Sequence, residues 1–525
     1  MSDDSSPFRF SVLIVILSAL ITVSSHAADI TVTLPDAVLR TFGDSPGVKI
    51  EKLKVEESEA LVQKAAGRFD WTIVSKDRWV KESVRLSSGE KAFLVPILGP
   101  SKVPDIHKLE VAEYELGISK QFRSGITVMP DIIGFDTRDN LLGGPPANRP
   151  NLGVRVDIPL LRGLGPSVAG ADELAASSNR TAAEALYIQN VSSRIYQTVK
   201  AYWDCLAALK NYELAREVKT RADEIAVTIE RLVRGGEFRP GVLHQVEGSL
   251  RQRGVDLVNA ERLLYEMRQV LGFSMGVPPG AVEEIPLPEG SFPDVVSEYR
   301  SQAGQQQAKL VDEAMKTRGD LLAARQNVHT EETLLKKAKN GLLPRVDFQS
   351  RITVANLKDS NSADRFVTSY GGEYTGPNFY TQLNVEIPLE NNFAIGELRR
   401  RQSMTERAKL QSIEVVNKVA KDVAIALNAV SSSISEYEQA VRFAENYGRA
   451  VDHQFRLVKA MESNITDLIT MEDRYFQGRL AQIAALHNYA VSMVELRYVT
   501  GTLVKKVNNE LQCDTAALSK PPFIY

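Results

Sequence analysis

The segment VDIPLLRG at residues 156–163 is repeated as VEIPLENN at residues 385–392. In both copies apolar and charged residues alternate up to a Pro-Leu pair, which is the pattern of a β-strand with two chemically different faces. Each copy is followed by a very long stretch without proline, from Ser167 to Arg239 and from Leu389 to Lys520. The pattern therefore predicts a duplicated unit in which strands lead into a very long helix.

Further repeated markers keep the same order in both halves. They are LVQKAAGRF (61–69) with LLKKAKNGLL (334–343), RLVR (231–234) with RLVK (456–459), and RQVLG (268–272) with RYVTG (497–501). Each half is predicted to form a helix, a β segment, a very long helix, a turn and a second helix, with reversals at Gly235-Gly236 and near Ser463-Asn464. The predicted divisions are a first repeat at 28–272, a proline-rich connector at 273–318, a second repeat at 319–505 and a tail at 506–525.

Apolar residues in the long helical stretches recur at spacings of three and four, as in a narrow coiled-coil seam. The first stretch has Val191, Ile195, Val199, Tyr202, Leu206 and Leu209, and the second has Val416, Val419, Val423, Leu427, Val430, Ile434, Tyr437 and Val441. A helix of some 70 residues is about 100 Å long. Because helices of this length need partners along most of their length, we expect a long antiparallel helix pair in each repeat.

Composition narrows the function classes. The 525 residues carry 63 basic and 66 acidic side chains, a net charge of −3, which gives no electrostatic basis for nucleic-acid binding. An apolar run from Phe10 to Val23 precedes small residues, so residues 1–27 are predicted to be a secretory signal, with an uncleaved anchor as the alternative. Two cysteines are too few for a disulfide framework, and no later run of 18 apolar residues occurs.

The β segments leave two interpretations open. A half-buried sheet of a soluble domain would show the same alternation, but strands of about ten residues can also cross a membrane in a tilted barrel. In a barrel, one set of side chains would face lipid: Val154, Val156, Ile158, Phe348, Ile352, Val385 and Ile387. The alternate set would face the lumen: Arg155, Asp157, Asp347, Gln349, Arg351, Asn384 and Glu386. Four strands from one chain cannot enclose water, so this interpretation predicts an oligomer, and an extra hairpin at 111–133 has no assigned place.

With these features the chain resembles the TolC-like outer-membrane efflux proteins. The motifs that carry the resemblance are KNGLLPRVDF from Lys339, VDIPLLRGLG, VEIPL, AYWDCLAAL from Ala201, NITDLITMED from Asn464 and LRYVTG at 496–501. The resemblance implies a fold that is mainly α with membrane β, in which a homotrimer forms a 12-stranded β-barrel continued by an α-helical coiled-coil barrel in the periplasm. It implies an outer-membrane exit duct of a tripartite efflux or type I secretion system, working with a periplasmic adaptor (membrane fusion) protein and an inner-membrane pump.

The resemblance also implies an acidic ring at the periplasmic mouth. Asp467 matches the family's aspartate after the second turn, Thr470 stands where a second acidic residue would be, and Glu462 is a weaker candidate. A carboxylate ring at a constriction would attract cations. The alternative is a solvated charge beside a helix turn.

The residues suggest neither an enzyme nor a cofactor site. The sequence has no phosphate-binding Gly-rich loop with Lys-Ser/Thr, no HExxH and no paired CxxC. We therefore expect no enzyme activity, no cofactor and no metal. The alternative function is a periplasmic coiled-coil scaffold whose β segments pack on themselves without forming a membrane barrel.

Overall fold

The computed structural model describes residues 31–141, 144–278, 285–508 and 510–523. The helices are α1 Leu34–Asp44, α2 Pro46–Ala66, α3 Ser88–Leu98, α4 Pro166–Ala169, α5 Ala171–Arg234, α6 Val242–Met275, α7 Tyr299–Thr317, α8 Gly319–Asn340, α9 Arg365–Thr368, α10 Asn392–Lys459 and α11 Ile465–Val499. The strands are β1 Thr31–Val32, β2 Trp71–Arg85, β3 Ile106–Gln121, β4 Thr127–Asp139, β5 Ala147–Pro159, β6 Leu287–Pro288, β7 Arg345–Ala355, β8 Lys358–Asp359, β9 Thr375–Glu386, β10 Lys505–Val507 and β11 Glu510–Gln512. The predicted signal, residues 1–27, lies outside the described residues.

The elements follow the same order in the two halves of the chain. α2 leads into the first group of strands and α8 into the second, and each group is followed by a very long helix, α5 with 64 residues and α10 with 68. Both reversals lie where the sequence predicts them. Gly236 has a φ of +83°, which favours glycine, and the Asn464 side chain caps α11 by accepting a hydrogen bond from the Thr466 amide at 3.1 Å.

The predicted apolar seams are buried between helices. Val419, Val423, Val430 and Ile434 of α10 pack in one core cluster with Tyr489, Met493 and Leu496 of α11. The matching seam of α5, from Val191 to Leu206, forms a second cluster with residues of α1, α6 and α11. A polar contact also joins α5 to α11, since the Asp204 carboxylate lies 2.6 Å from Nε2 of His487. Within α5, the same carboxylate accepts a hydrogen bond from Lys200.

One sheet contains the strands between the helices, and its neighbours run in the order β2-β3-β4-β5-β7-β9, all antiparallel, with the short β8 beside β5. The extra hairpin of the first repeat is β3 and β4, and it lies within the sheet between β2 and β5. The place of this hairpin, which the sequence left open, is thus within the sheet, and one chain contributes six long strands to it rather than four.

The helices α2, α5, α8 and α10 all join this sheet at the same end of its strands, here called the helix end. β2 begins there after α2 and β7 begins there after α8, while β5 and β9 end there before α5 and α10. The connections between β2 and β3, β4 and β5, and β7 and β9 lie at the opposite end of the strands. No helix in the described part of the chain is long and apolar enough to cross a membrane.

Candidate functional site: a two-faced sheet and the helix tips

The register of the sheet sorts its side chains onto two faces. Successive residues of a strand point to opposite faces, and directly paired residues share a face. Arg155 pairs with Arg351, and Asp157 pairs with Gln349. Across the next junction Asn384 pairs with Asp347, and Glu386 with Arg345. The seven side chains predicted to face a lumen thus lie together on one face, here called the polar face.

The other face, here called the apolar face, carries the residues predicted to contact lipid. Val154 pairs with Ile352 and Ile158 with Phe348, while Val385 pairs with Val346. Ile387 follows β9 by one residue and keeps the same alternation. Large apolar side chains of this face are exposed on five strands: Trp71, Ile73, Trp79, Leu116, Ile118, Val154, Ile352, Phe379, Leu383 and Val385.

Ion pairs cross the polar face from strand to strand. Lys76 of β2 lies 3.1 Å from Glu115 of β3, which lies 3.7 Å from Arg155 of β5. Asp131 of β4 lies 3.4 Å from Arg155 and 2.7 Å from Arg351 of β7, and its side chain is 0% exposed. The charges alternate in sign, so each has an opposite charge beside it. The β5 and β7 members of this network were predicted from the sequence. Lys76, Glu115 and Asp131 were not, because alternation within a strand does not show which strands pair.

The turn between β3 and β4 is fastened to the helices. Arg123 donates two hydrogen bonds to the Glu173 carboxylate in the first turn of α5, at 2.6 and 2.7 Å. Gly125 has a φ of +94°, and a Cβ there would lie 2.4 Å from the carbonyl oxygen of Gly163. Only glycine fits this close approach, so the turn is held against the segment that leads into α5.

The segment between β7 and β9 packs against the sheet at the end of the strands that lies away from the long helices. Arg365 of α9 is buried and forms a two-pronged ion pair with Asp136 of β4 at 2.7 and 2.8 Å. Asn148 of β5 donates a hydrogen bond to Ser369 at 2.8 Å. These contacts tie the second repeat's loop to strands of the first repeat.

The turns of the two long helix pairs meet at the other end of the molecule, here called the tip. Ile229 of α5, Val246 of α6, Val458 of α10 and Leu468 of α11 belong to one apolar cluster. Asp467 lies exposed in the first turn of α11, and Glu462 is exposed in the preceding turn. Neither carboxylate forms an ion pair with a described residue, so both are open to solvent at the tip.

An ion-pair network links the helix pairs beside the tip. Arg221 of α5 lies 2.9 Å from Glu472 of α11 and 3.4 Å from Asp452 of α10. Arg253 of α6 is buried and pairs with Asp473 of α11. Burial raises the pKa of the Glu472 carboxyl, and the two arginines oppose this shift. This network was not predicted, although the sequence carries a signal for it: Glu472 occupies the seam position between Leu468 and Phe476 at helical spacing.

The described residues contain no group of three or more His, Cys, Asp or Glu side chains placed to hold a metal ion. The buried thiol of Cys205 lies in the core cluster of α5, where burial raises its pKa to about 12. The Cys205 thiol is therefore a packing group rather than a nucleophile.

Comparisons with known proteins show which fold this chain has. No protein-family model matches the sequence, and no curated protein matches it. Solved structures do match. A membrane protein from Pseudomonas aeruginosa has a TM-score of 0.65 and 13% identity, over 90% of this chain and 91% of that chain. The chain has the TolC-like fold.

Two further similar structures are outer membrane channels. The CmeC channel of Campylobacter jejuni has a TM-score of 0.61 and 14% identity, over 95% of this chain and 94% of that one. The open MtrE channel of Neisseria gonorrhoeae has a TM-score of 0.61 and 14% identity, over 89% and 88%. The resemblance to TolC-like proteins predicted from the sequence is confirmed as a likeness of fold over most of the chain.

Proposed function

We propose that this protein is an outer-membrane exit duct of a tripartite efflux or type I secretion system. Three copies form a channel whose sheets span the outer membrane and whose long helices extend into the periplasm. Substrates pass through it passively, and a periplasmic adaptor and an inner-membrane pump supply the coupling to energy. The likeness to outer membrane channels supports this assignment at the level of fold.

The exposed apolar face carries the proposal. A soluble two-layer domain buries the apolar face of its sheet and leaves the polar face in water. Here the apolar face is open, with Ile352 48% and Phe379 68% exposed, while Asp131 on the polar face is only 4% exposed. This arrangement fits a sheet with lipid on its outer side and a polar lumen on its inner side.

The same exposure favours an oligomer. β2 and β9 are the edge strands, and nearly all of their residues are exposed. Apolar side chains also line an unpartnered side of α6, where Val258, Tyr265 and Phe273 are 64%, 54% and 79% exposed. Open strand edges do not occur in the hydrocarbon region of a membrane, so the sheet needs further copies to complete it.

The tip would form the periplasmic mouth of the duct. Three copies would place three Asp467 side chains, and three Glu462 side chains, around the axis. Carboxylates gathered at a constriction attract cations and repel anions, which would make conduction sensitive to polyvalent cations.

Two measurements test the proposal. Membranes are washed with alkaline carbonate, and the retained protein is then run on SDS gels with and without heating. A duct stays in the membrane and migrates as an oligomer until heated. A coiled-coil scaffold without a membrane barrel would be extracted by carbonate, which would refute the proposal.

A further inference from the structure

We infer that the wall of the barrel contains six strands from each copy, so that three copies make eighteen rather than the twelve that the resemblance implies. The partner is a second copy of this chain, and edge strand β2 of one copy pairs with edge strand β9 of the next. This inference rests on the proposed function, because a closed barrel exists only if the protein assembles in the membrane.

The directions of the two edge strands permit this pairing. β2 starts at the end of the sheet where its strands connect to α2, α5, α8 and α10, and β9 ends there. When both copies have their helices on the same side, β2 and the neighbour's β9 run antiparallel, as every neighbouring pair within the sheet does. The number of strands per copy is even, so the alternation continues around the ring without a break.

The faces of the two edge strands also agree. On β2, Lys76 lies on the polar face and Trp79 on the apolar face. On β9, Asn384 lies on the polar face and Leu383 on the apolar face. Even-numbered residues of both strands are therefore polar-face residues, and pairing them keeps each face continuous from copy to copy.

The hairpin β3–β4 belongs to this wall because its own faces follow the sheet. Leu116 and Ile132 are paired on the apolar side, while Glu113 and Glu115 point to the polar side. Barrel diameter grows roughly in proportion to strand number, so eighteen strands give about 1.5 times the diameter and roughly twice the cross-section of twelve. The hairpin also adds four carboxylates per copy to the polar face, those of Glu113, Glu115, Asp131 and Asp139.

Engineered cysteine pairs test the junction between copies. Both native cysteines are first replaced by alanine, and Thr72→Cys on β2 is combined in turn with Asn378→Cys, Gln382→Cys or Asn384→Cys on β9. The three positions scan the register in steps of two or more residues, because strand stagger in a barrel is not fixed by one copy. At least one pair should yield covalent dimers and trimers on oxidation, whereas Thr72→Cys with Leu383→Cys, on opposite faces, should yield none.

A fluorescent probe tests whether the hairpin is in the wall. A bimane label is attached to Leu116→Cys or, as the matched control on the same strand, to Glu113→Cys, and the protein is placed in vesicles containing spin-labelled lipid. The label at 116 should lose fluorescence relative to spin-free vesicles, and the label at 113 should keep it. Equal behaviour at the two sites would remove the hairpin from the wall and overturn the count of eighteen.

The outcomes separate the two proposals. Extraction by carbonate would refute the duct itself. A carbonate-resistant oligomer in which no polar-face pair of β2 and β9 cross-links, or in which the hairpin labels do not differ, would keep the duct and overturn the six-strand wall.

Discussion

Replacing Ile352 by arginine gives a direct measure of the apolar face. Ile352 lies between Val154 and Phe379, both on this face. It is six residues along β7 from Val346, which pairs with Val385 near the helix side of the sheet. At ~3.3 Å per residue and a tilt of ~40°, Ile352 lies about 15 Å deeper than Val385, near the middle of an apolar band about 25 Å tall.

The expected cost follows from that depth. An arginine facing lipid at the midplane costs about 2–4 kcal/mol, against about 0–1 kcal/mol near the interface. Ile352→Arg should therefore lower the folded-to-unfolded ratio in lipid vesicles by ~30-fold to ~700-fold, and Val385→Arg by much less. Gln349→Arg, on the polar face of the same strand, is the matched control and should cost little.

The ratio is measured by urea titration of the protein folding into vesicles, with heat-modifiable migration on SDS gels as the readout. Equal losses for Ile352→Arg and Gln349→Arg would refute the assignment of the two faces. A larger loss for Val385→Arg than for Ile352→Arg would refute the depth assignment while leaving the faces intact.

Four further outcomes are expected. Asp467→Asn should weaken the block of single-channel current by polyvalent cations in planar bilayers, and an unchanged block would remove this residue from the mouth. Gly319→Ala should lower the free energy of unfolding, measured by denaturant titration, by about 1–3 kcal/mol or more, because its Cβ would lie 2.1 Å from a carbonyl oxygen of α5. Gly396→Ala in α10, which has open space around it, is the control and should not lower it. Cys205, whose pKa burial raises to about 12, should resist maleimide at pH 8 in the folded protein and react after unfolding, which mass spectrometry detects. Burial alone would raise the pKa of Asp204, but hydrogen bonds from a histidine of α11 and a lysine of α5 outweigh this effect and lower the pKa. In denaturant titrations, the stability advantage of the wild type over Asp204→Asn should therefore be full above about pH 4 and shrink as the pH falls further.

The helices were predictable from local features of the sequence. Long proline-free stretches with apolar residues at spacings of three and four predict α5 and α10, and both reversals fall within a few residues of the glycine pair and Asn464. The faces of β5, β7 and β9 were also predictable, since a period of two fixes which side chains share a face. Both predictions depend only on the order of residues along one segment.

The neighbours of a strand do not follow from its own alternation. The hairpin residues near Tyr114 and Ile132 showed a strand pattern, but that pattern is the same whether the hairpin joins the sheet, covers it or lies apart. For the same reason the ion pair of Asp131 with Arg351, 220 residues apart along the chain, had no trace in the sequence. The network around Glu472 differs, because a charged residue at a seam position between apolar neighbours is a visible signal of a buried ion pair.

The attachment of the hairpin turn explains how a sheet of six long strands can be supported when only four of them connect directly to long helices. In each copy four strands continue into α2, α5, α8 and α10, whereas β3 and β4 end in a turn. Without a fixed turn, these two strands would be held only by their neighbours in the sheet. The ion pair of Arg123 with Glu173 and the close approach of Gly125 to Gly163 supply that support at the start of α5. A hairpin outside the wall would have no need to be fastened at the level where the other strands enter the helices, so this attachment favours a wall of six strands per copy.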